Sequence, residues 1–264
     1  RFAPETGLFE ATAGCDVGLQ IALAADWGFP AFSDAGLLQR TSTEAEAIVA
    51  ALAAADLTLS PPRGPAIPFA TCELGRWQTE ASQALLTLTP WRAIGLRLDY
   101  GPATHQGIAG SGVFSRAMRA ALRNLADIAQ GQGMVLILEP WDDGRCGADL
   151  FAAAHQLVRA CEHPALKLCV DTYRWSAAGM DVAAVFENAS AWIGHVELAD
   201  FPGGCEAGTG RLPLATCLRR LWTSGYLGVI GLRHGTSQWG AAGDQLVRRA
   251  CARLMSDVAA PSLA

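Results

Sequence analysis

Along its 264 residues the chain alternates eight times between a short apolar segment and a helix-like segment. This alternation restricts the folds that the chain can adopt. The apolar segments contain few polar residues and end in a polar or turn residue, as MVLILEPW does at 134–141. Continuous apolar runs of this kind are typical of strands buried on both faces in a parallel sheet. Their alternation with helices predicts parallel strands joined by crossover helices.

The length of the chain decides which kind of parallel sheet is expected. A single eight-fold β/α barrel takes about 250 residues, and eight units in 264 residues favour this closed barrel over a doubly wound sheet. We therefore predict the α/β class and a single (β/α)8 TIM barrel over residues 1–258, followed by a flexible tail at 259–264.

Individual elements follow from periodicity and from residues that start or stop helices. Asp16 and Asp149 are predicted to cap helices, and further helices are predicted at 114–129 and 242–255. The Pro-rich segment 61–68 is too long for a simple connector. Because barrels build their ligand-contacting surface from loops at the strand ends, we expect this segment to contribute to a substrate site.

The charge balance disfavours several kinds of partner. A net charge of -5 and a sequence pI near 5.5 give no basic surface for nucleic acid or an anionic membrane. No apolar run reaches the ~18 residues that a membrane span needs. The first residues, RFAPETGLFE, lack a basic region followed by a hydrophobic signal core. We therefore expect a cytoplasmic protein.

The eight cysteines are scattered and form no CxxC pair, which argues against a disulfide framework or a zinc site. Cys161, Cys169, Cys217 and Cys251 fall within apolar helix or strand patterns. We predict that these four are buried, reduced thiols.

Polar residues end the last four predicted strands at Glu139, Asp171, Glu197 and Arg233, about one β/α unit apart. In a barrel all four would face one pocket at its mouth. Three carboxylates that meet there would repel each other unless protons or a cation neutralise them. The cation would be either Arg233 or a divalent ion, and oxygen-only ligands would suit Mg²⁺ or Mn²⁺ better than zinc.

Simpler interpretations of these residues remain open. A carboxylate at a strand end is often a helix cap or a partner in a loop salt bridge. His195 shares the face of Glu197 and would either hold that carboxylate in place or pack in the core. His105 and His234 lie in loops at the correct end, where they are candidate substrate contacts.

Several stretches resemble the hydroxypyruvate isomerase family, within the xylose-isomerase-like barrel superfamily that also contains ketose 3-epimerases. The stretches are LILEPW at 136–141, LKLCVDTY at 166–173, IGHVELADFPG at 193–203, EAGTGRL at 206–212 and GYLGVIGL at 225–232. The resemblance covers the C-terminal half, and the N-terminal half only in outline. It implies a divalent metal held by four strand-end side chains, two of them glutamates that shuttle protons through an enediolate.

On this resemblance the first glutamate matches Glu139, the aspartate ligand matches Asp171, and the third ligand matches Glu197. The second proton-shuttling glutamate falls on Arg233, which can neither ligate a metal nor act as a base near neutral pH. Four further polar positions of the family also differ in this chain. They fall on Ser33, Arg174, Gly204 and Arg211.

We therefore expect an isomerase, of the aldose–ketose or epimerase type, that transfers a proton through an enediolate on a small hydroxy-carbonyl substrate. Glu139 is the predicted base, helped by Arg233 as a fixed cation or by a metal on Glu139, Asp171 and Glu197. One divalent cation and a metal-free site are equally open. The predicted substrate contacts are His195, Arg174, Glu206 and His234. The alternatives are a binding or scaffold protein that has lost catalysis and, less favoured, a lyase or hydrolase; a homo-oligomer is also open.

Overall fold

The computed structural model describes residues 1–68, 71–101, 112–140 and 147–260, and within these ranges it contains eight strands and ten α-helices. The strands are β1 (Phe2–Pro4), β2 (Ala31–Phe32), β3 (Thr58–Leu59), β4 (Gly95–Tyr100), β5 (Val135–Pro140), β6 (Leu166–Asp171), β7 (Ile193–Leu198) and β8 (Ile230–Leu232). The helices are α1 (Glu10–Ala13), α2 (Val17–Asp26), α3 (Ser42–Ala54), α4 (Leu74–Leu88), α5 (Gly112–Gly131), α6 (Gly147–Cys161), α7 (Thr172–Ala177), α8 (Val182–Ala189), α9 (Leu214–Thr223) and α10 (Ala241–Ala259).

The strands are parallel and close into a barrel, which confirms the predicted (β/α)8 fold. Six of them form one sheet in the order β1-β8-β7-β6-β5-β4, and β2 pairs with β3. Two isolated parallel bridges complete the circle, Glu5 with Ser33 between β1 and β2, and Arg63 with Arg97 between the end of β3 and β4. We call the second junction the β3–β4 seam; the Arg97 amide donates to the Pro62 carbonyl there at 2.9 Å.

Alternation along the strands sorts side chains between the apolar core and the barrel interior. In β4, Leu96 and Leu98 pack with helix residues in the main apolar core. Arg97, on the opposite face, reaches carboxylates of β5 and β7. At Gly231 in β8 a Cβ atom would overlap the carboxylate of Glu197, so glycine makes room for this polar interior.

The predicted helices are present, with differences at their ends. Those predicted at 114–129 and 242–255 extend over Gly112–Gly131 and Ala241–Ala259. Asp16 caps α2, as predicted, by accepting from the amides of Gly18 and Leu19. The prediction that Asp149 caps the next helix is wrong, since α6 begins at Gly147 and Asp149 lies in its first turn. The predicted flexible tail began at residue 259, but the last helix includes Ala259 and Ala260 follows as its C-cap. Residues 261–264 of the predicted tail lie outside the described ranges.

Two further expectations concern the thiols and membrane spans. Cys161, Cys169, Cys217 and Cys251 are buried and unpaired, which confirms the prediction of reduced core thiols. Across the described ranges no helix combines the length and the apolar character that crossing a membrane requires.

Candidate active site

Glu139, at the carboxyl end of β5, is the centre of the charged site at the barrel mouth. Its side chain is only 2% exposed. Arg63 binds it through two nitrogens, with Nη2 2.6 Å from Oε1 and Nε 3.2 Å from Oε2. Because Arg63 follows β3, this bidentate ion pair joins two strands that are not neighbours in the sheet.

Three more arginines approach the same carboxylate. Nη1 of Arg174 lies 3.9 Å and Nη1 of Arg233 lies 3.6 Å from Oε1 of Glu139. Nη1 of Arg97 lies 3.6 Å from Oε2. We refer to Arg63, Arg97, Arg174 and Arg233 together as the guanidinium cluster.

Arg97 differs from the others because it is completely buried. The Nη1 atom that approaches Glu139 also forms a close ion pair with Oε1 of Glu197. On the other side of Glu197, Nε2 of His195 lies 3.2 Å from the same oxygen. Glu197 is therefore held between two side chains of the barrel interior.

These contacts set the proton affinity of the two buried glutamates. Burial acts to raise the pKa of Glu139, but the charges of Arg97 and Arg63 outweigh it and leave the pKa below its usual value. Burial acts in the same way on Glu197, and Arg97 and His195 lower its pKa still further. Both groups are therefore anions at neutral pH and weak bases in this arrangement.

Asp171, at the end of β6, has the opposite balance. Its Oδ1 accepts from the amide of Arg174 at 2.9 Å and so caps α7, while Oδ2 lies 3.4 Å from Nε of the same arginine. Burial outweighs these contacts and raises its pKa to about 6. Asp171 therefore exchanges its proton nearer to neutral pH than an ordinary aspartate does.

The predicted substrate contacts occupy different positions. Arg174 lies at the mouth, whereas His195 is fully buried against Glu197, as the holding role in the sequence analysis requires. Glu206 is buried and accepts from the amide and hydroxyl of Ser237, which ties the loop after β7 to the loop after β8. His234 lies in the latter loop with Nδ1 2.6 Å from the Gly235 carbonyl, and burial lowers its pKa. His105 lies outside the described residues.

Sequence reasoning missed Arg63 and Arg97. Arg97 had one detectable signal, a charged residue at an inward-facing position of the apolar strand GLRLDY. Arg63 lies in the Pro-rich segment that was expected to contribute to the site. Its contact with Glu139 follows only from closure of the barrel.

The carboxylates Glu139, Asp171 and Glu197 do not fit a divalent metal in this arrangement. Oxygen ligands must lie about 2.0–2.6 Å from Mg²⁺ or Ca²⁺, but a guanidinium nitrogen of Arg97 sits between the two glutamates. Within the described residues no group of three or more His, Cys, Asp or Glu side chains is placed to hold a metal ion. A dication about 4 Å from one guanidinium would cost about 8 kcal/mol of repulsion at an effective dielectric of 20.

A family profile places this architecture among known proteins. The profile described as xylose isomerase-like TIM barrel matches residues 21–256, so the chain belongs to that family. The superfamily part of the resemblance is thereby confirmed.

The more specific resemblance, to the hydroxypyruvate isomerase family, rests on a short match. A Streptomyces coelicolor protein, provisionally named a hydroxypyruvate isomerase, is 43% identical over 68 residues. The matched segment spans 26% of this chain and 24% of that protein.

Three solved structures share the fold over nearly the whole chain. A 3-keto-D-glucoside 4-epimerase from E. coli has a TM-score of 0.72 at 18% identity and covers 97% of this chain and 98% of its own. A D-psicose 3-epimerase from Clostridium cellulolyticum H10 has a TM-score of 0.73 at 14% identity, with 98% and 99% covered. A family 2 AP endonuclease from Brucella melitensis reaches 0.74 at 17%, with 92% and 96% covered. At these identities the likeness shows the fold alone.

Proposed function

We propose that this chain is an isomerase or epimerase that moves a proton within a small hydroxy-carbonyl compound. The observation that carries the proposal is the meeting of Glu139 and Asp171 with the guanidinium cluster at the carboxyl edge of the barrel. Such a site combines groups that can exchange a proton with fixed positive charge for an oxygen anion. Family membership and the sugar epimerases that share the fold support the same class of chemistry.

The reaction needs a base beside the carbon that loses its proton. A carboxylate takes this proton, the C–H electron pair becomes the C=C bond of an enediolate, and the carbonyl electron pair moves onto oxygen. The isomer forms when the proton returns to the neighbouring carbon, the hydroxyl proton passes to the former carbonyl oxygen and the former hydroxyl oxygen becomes the new carbonyl. The epimer forms when the proton returns to the opposite face of the same carbon and the original carbonyl is restored. Guanidinium N–H groups stabilise the oxygen anion between the two steps.

Two arginines of the cluster are available to a ligand at the mouth. The side chains of Arg174 and Arg233 are 33% and 30% exposed, whereas that of Arg97 is fully buried. Arg233 therefore donates to the substrate oxygen in this proposal, as the sequence analysis expects. Arg97 remains beneath, paired with the glutamates.

Glu139 and Asp171 share the proton transfer. Glu139 is a weak base while the arginines surround it, but a substrate oxygen that draws Arg233 or Arg174 away removes part of this charge and raises its basicity. Asp171 has a pKa of about 6, close to the value that suits a general acid or base near neutral pH. We assign Glu139 to proton removal and Asp171 to proton return.

The test is exchange of substrate hydrogen with D₂O, followed by proton NMR on hydroxypyruvate and a panel of short ketoses. We expect deuterium at the carbon next to the carbonyl, and a loss of about 10²-fold or more in Glu139→Gln, since general acid–base catalysis contributes 10²–10⁴-fold. Glu187→Gln is the matched control, because Glu187 is exposed and paired with Arg220 on the helix layer. Unchanged exchange in Glu139→Gln would make the base assignment wrong.

A second candidate function is ligand binding without turnover. It is favoured by one observation, that both oxygens of Glu139 already accept from Arg63. Calorimetric binding of a panel compound with no deuterium exchange would support it. Recovery of exchange in Arg233→Glu, which returns the family's second glutamate, would show that catalysis had been lost at that position.

A further inference from the structure

We propose that Arg97 is a built-in cation that replaces the divalent metal in the charge balance of this site, so that the folded protein is independent of metal. The inference concerns the site of the proposed function but rests on its geometry and not on turnover. It can therefore hold or fail separately from the isomerase assignment.

Arg97 lies where a cation shared by the two buried glutamates would lie. One nitrogen, Nη1, contacts Glu197 and lies 3.6 Å from Glu139, so it bridges the two glutamates in the way a shared cation would. A guanidinium is protonated throughout the physiological pH range, and here two carboxylates face it. The charge on this guanidinium is therefore permanent.

Arg97 cannot move aside as a surface arginine can. Arg233 is 30% exposed at the mouth and can turn into solvent. Arg97 is fully buried, and both of its backbone groups are bonded to the segment after β3, since its amide donates to Pro62 and its carbonyl accepts from Gly64. A metal ion between the glutamates would thus have to share the interior with this guanidinium.

The buried charges of this site are balanced without a metal ion. Glu139 and Glu197 carry two negative charges, and Arg97 and Arg63, which touch them, carry two positive charges. These four groups are neutral together, and a dication would add an excess of two charges in a buried space. Arg97 supplies the positive charge that balances the two glutamates. In the family that the sequence resembles, a divalent metal ion would supply it.

The experiment measures metal binding in four proteins, namely the wild type, Arg97→Met, Arg97→Lys and Arg233→Met. Each is purified without chelator, analysed by elemental mass spectrometry, dialysed against Mn²⁺ and melted with and without Mn²⁺. Met keeps an unbranched and flexible side chain, shorter than that of Arg, and removes the charge, whereas Lys keeps the charge. Arg233→Met removes a charge at the mouth and leaves Arg97 in place.

We expect the wild type, Arg97→Lys and Arg233→Met to bind far less than one equivalent of Mn²⁺ and to melt at the same temperature with or without it. Arg97→Met should melt lower than the wild type, bind about one Mn²⁺ and gain about 5 °C or more when the ion is saturating. If Arg97→Met is insoluble, refolding that succeeds only with Mn²⁺ supports the proposal.

Three outcomes would overturn the proposal. The first is about one equivalent of Mn²⁺ or Mg²⁺ bound to the wild type. The second is uptake of Mn²⁺ by Arg233→Met without uptake by Arg97→Met. The third is failure of Arg97→Met to take up Mn²⁺ or to be recovered by it. A wild type without metal and without turnover would keep this inference and contradict the proposed function.

Discussion

The two ends of the barrel are built from the same strands but have opposite character. At the carboxyl end, the guanidinium cluster surrounds Glu139 and is paired with Asp171 and Glu197. At the amino end, small and apolar residues line a cavity of about 440 Å³, in which Lys167 is the charged residue among the described lining. Lys167 donates from Nζ to the Ala191 carbonyl at 2.9 Å.

The difference between the two ends shows where this fold can bury charged side chains. A buried charge is stable only beside a countercharge or several hydrogen-bond donors. Among the described residues, the buried glutamates Glu139 and Glu197 meet their countercharges towards the carboxyl end of the strands. Parallel strands bring all those ends to one edge, so chemistry collects there while the opposite end serves stability. Substitutions at the two ends of the barrel should therefore differ in what they cost.

The largest effect is expected from breaking the buried ion pair at the carboxyl end. Glu197→Leu leaves Arg97 and His195 without their shared partner, and removing one member of a buried pair costs about 3–5 kcal/mol. Urea unfolding of the variant should show this loss in the free energy of unfolding. At the amino end, Lys167→Met should cost less than about 1 kcal/mol, because its side chain is only partly buried.

A double-mutant cycle sharpens this first prediction. Glu197→Leu combined with Arg97→Met replaces the pair by apolar groups and should cost less than the sum of the two single changes. Additive losses would show that the pair does not act as a unit.

The second prediction concerns the pH dependence of stability. The folded-state pKa of Asp171 is raised to about 6 from 3.8, so the folded protein binds more protons between these values and loses stability as pH rises through the window. Asp171→Asn keeps the acceptor that caps α7 and removes this slope. The free energy of unfolding of Asp171→Asn, compared with that of the wild type, should be about 2–3 kcal/mol more favourable at pH 7 than below this window. Urea unfolding at a series of pH values measures this difference.

The lowered pKa values of Glu139 and Glu197 act in the opposite sense. Their contribution to stability is present above about pH 4.5 and is lost as the pH falls towards the folded-state values. It therefore overlaps little with the window of Asp171. An unchanged slope between pH 4.5 and 6 in Asp171→Asn would contradict the assignment.

The third prediction concerns the loops at the carboxyl end. Ser237→Ala removes the hydroxyl that donates to Glu206 and should cost about 1.5 kcal/mol, since hydrogen bonds to charged groups contribute about that much. Faster cleavage of the loop after β8 by a protease should accompany this loss. Ser256→Ala on the exposed side of α10 is the matched control and should change stability by less than about 0.5 kcal/mol.

The smallest effect is expected at the amino end. Tyr226→Phe removes the hydroxyl that donates to the Val229 carbonyl at 2.7 Å, which should cost about 1 kcal/mol in thermal or urea unfolding. Substrate exchange should remain at the wild-type rate. A loss of exchange in this variant would show that the two ends are coupled more strongly than the division of roles allows.

The fold could be predicted because its evidence is local. Each β/α unit carries its own apolar strand and its own helix signals, and eight such units suffice to identify the barrel. The strand-end residues Glu139, Asp171, Glu197 and Arg233 could be aligned for the same reason. Residues that lie about one β/α unit apart along the chain lie on neighbouring strands of the barrel.

The partners of Glu139 could be predicted only in part, because they depend on distances across the interior. Arg97 reaches side chains of two other strands, and its charge in an apolar strand does not indicate which carboxylates it meets. Arg63 meets Glu139 because the end of β3 bridges to β4, and no pattern near residue 63 encodes that meeting. The pKa differences between Glu139 and Asp171 depend on the same contacts.

The β3–β4 seam has one further consequence. Its bridge partners, Arg63 and Arg97, are also the two arginines that lower the pKa of Glu139 most. A movement that opens the seam withdraws Arg63, while Arg97 stays beside Glu139 because β4 remains paired with β5. Glu139 then holds a proton more tightly. Local opening of the barrel wall and protonation of Glu139 are thus linked. The protection factors of the seam amides, which compare each observed exchange rate with the intrinsic rate at the same pH, should therefore rise as the pH rises through the range in which Glu139 loses its proton.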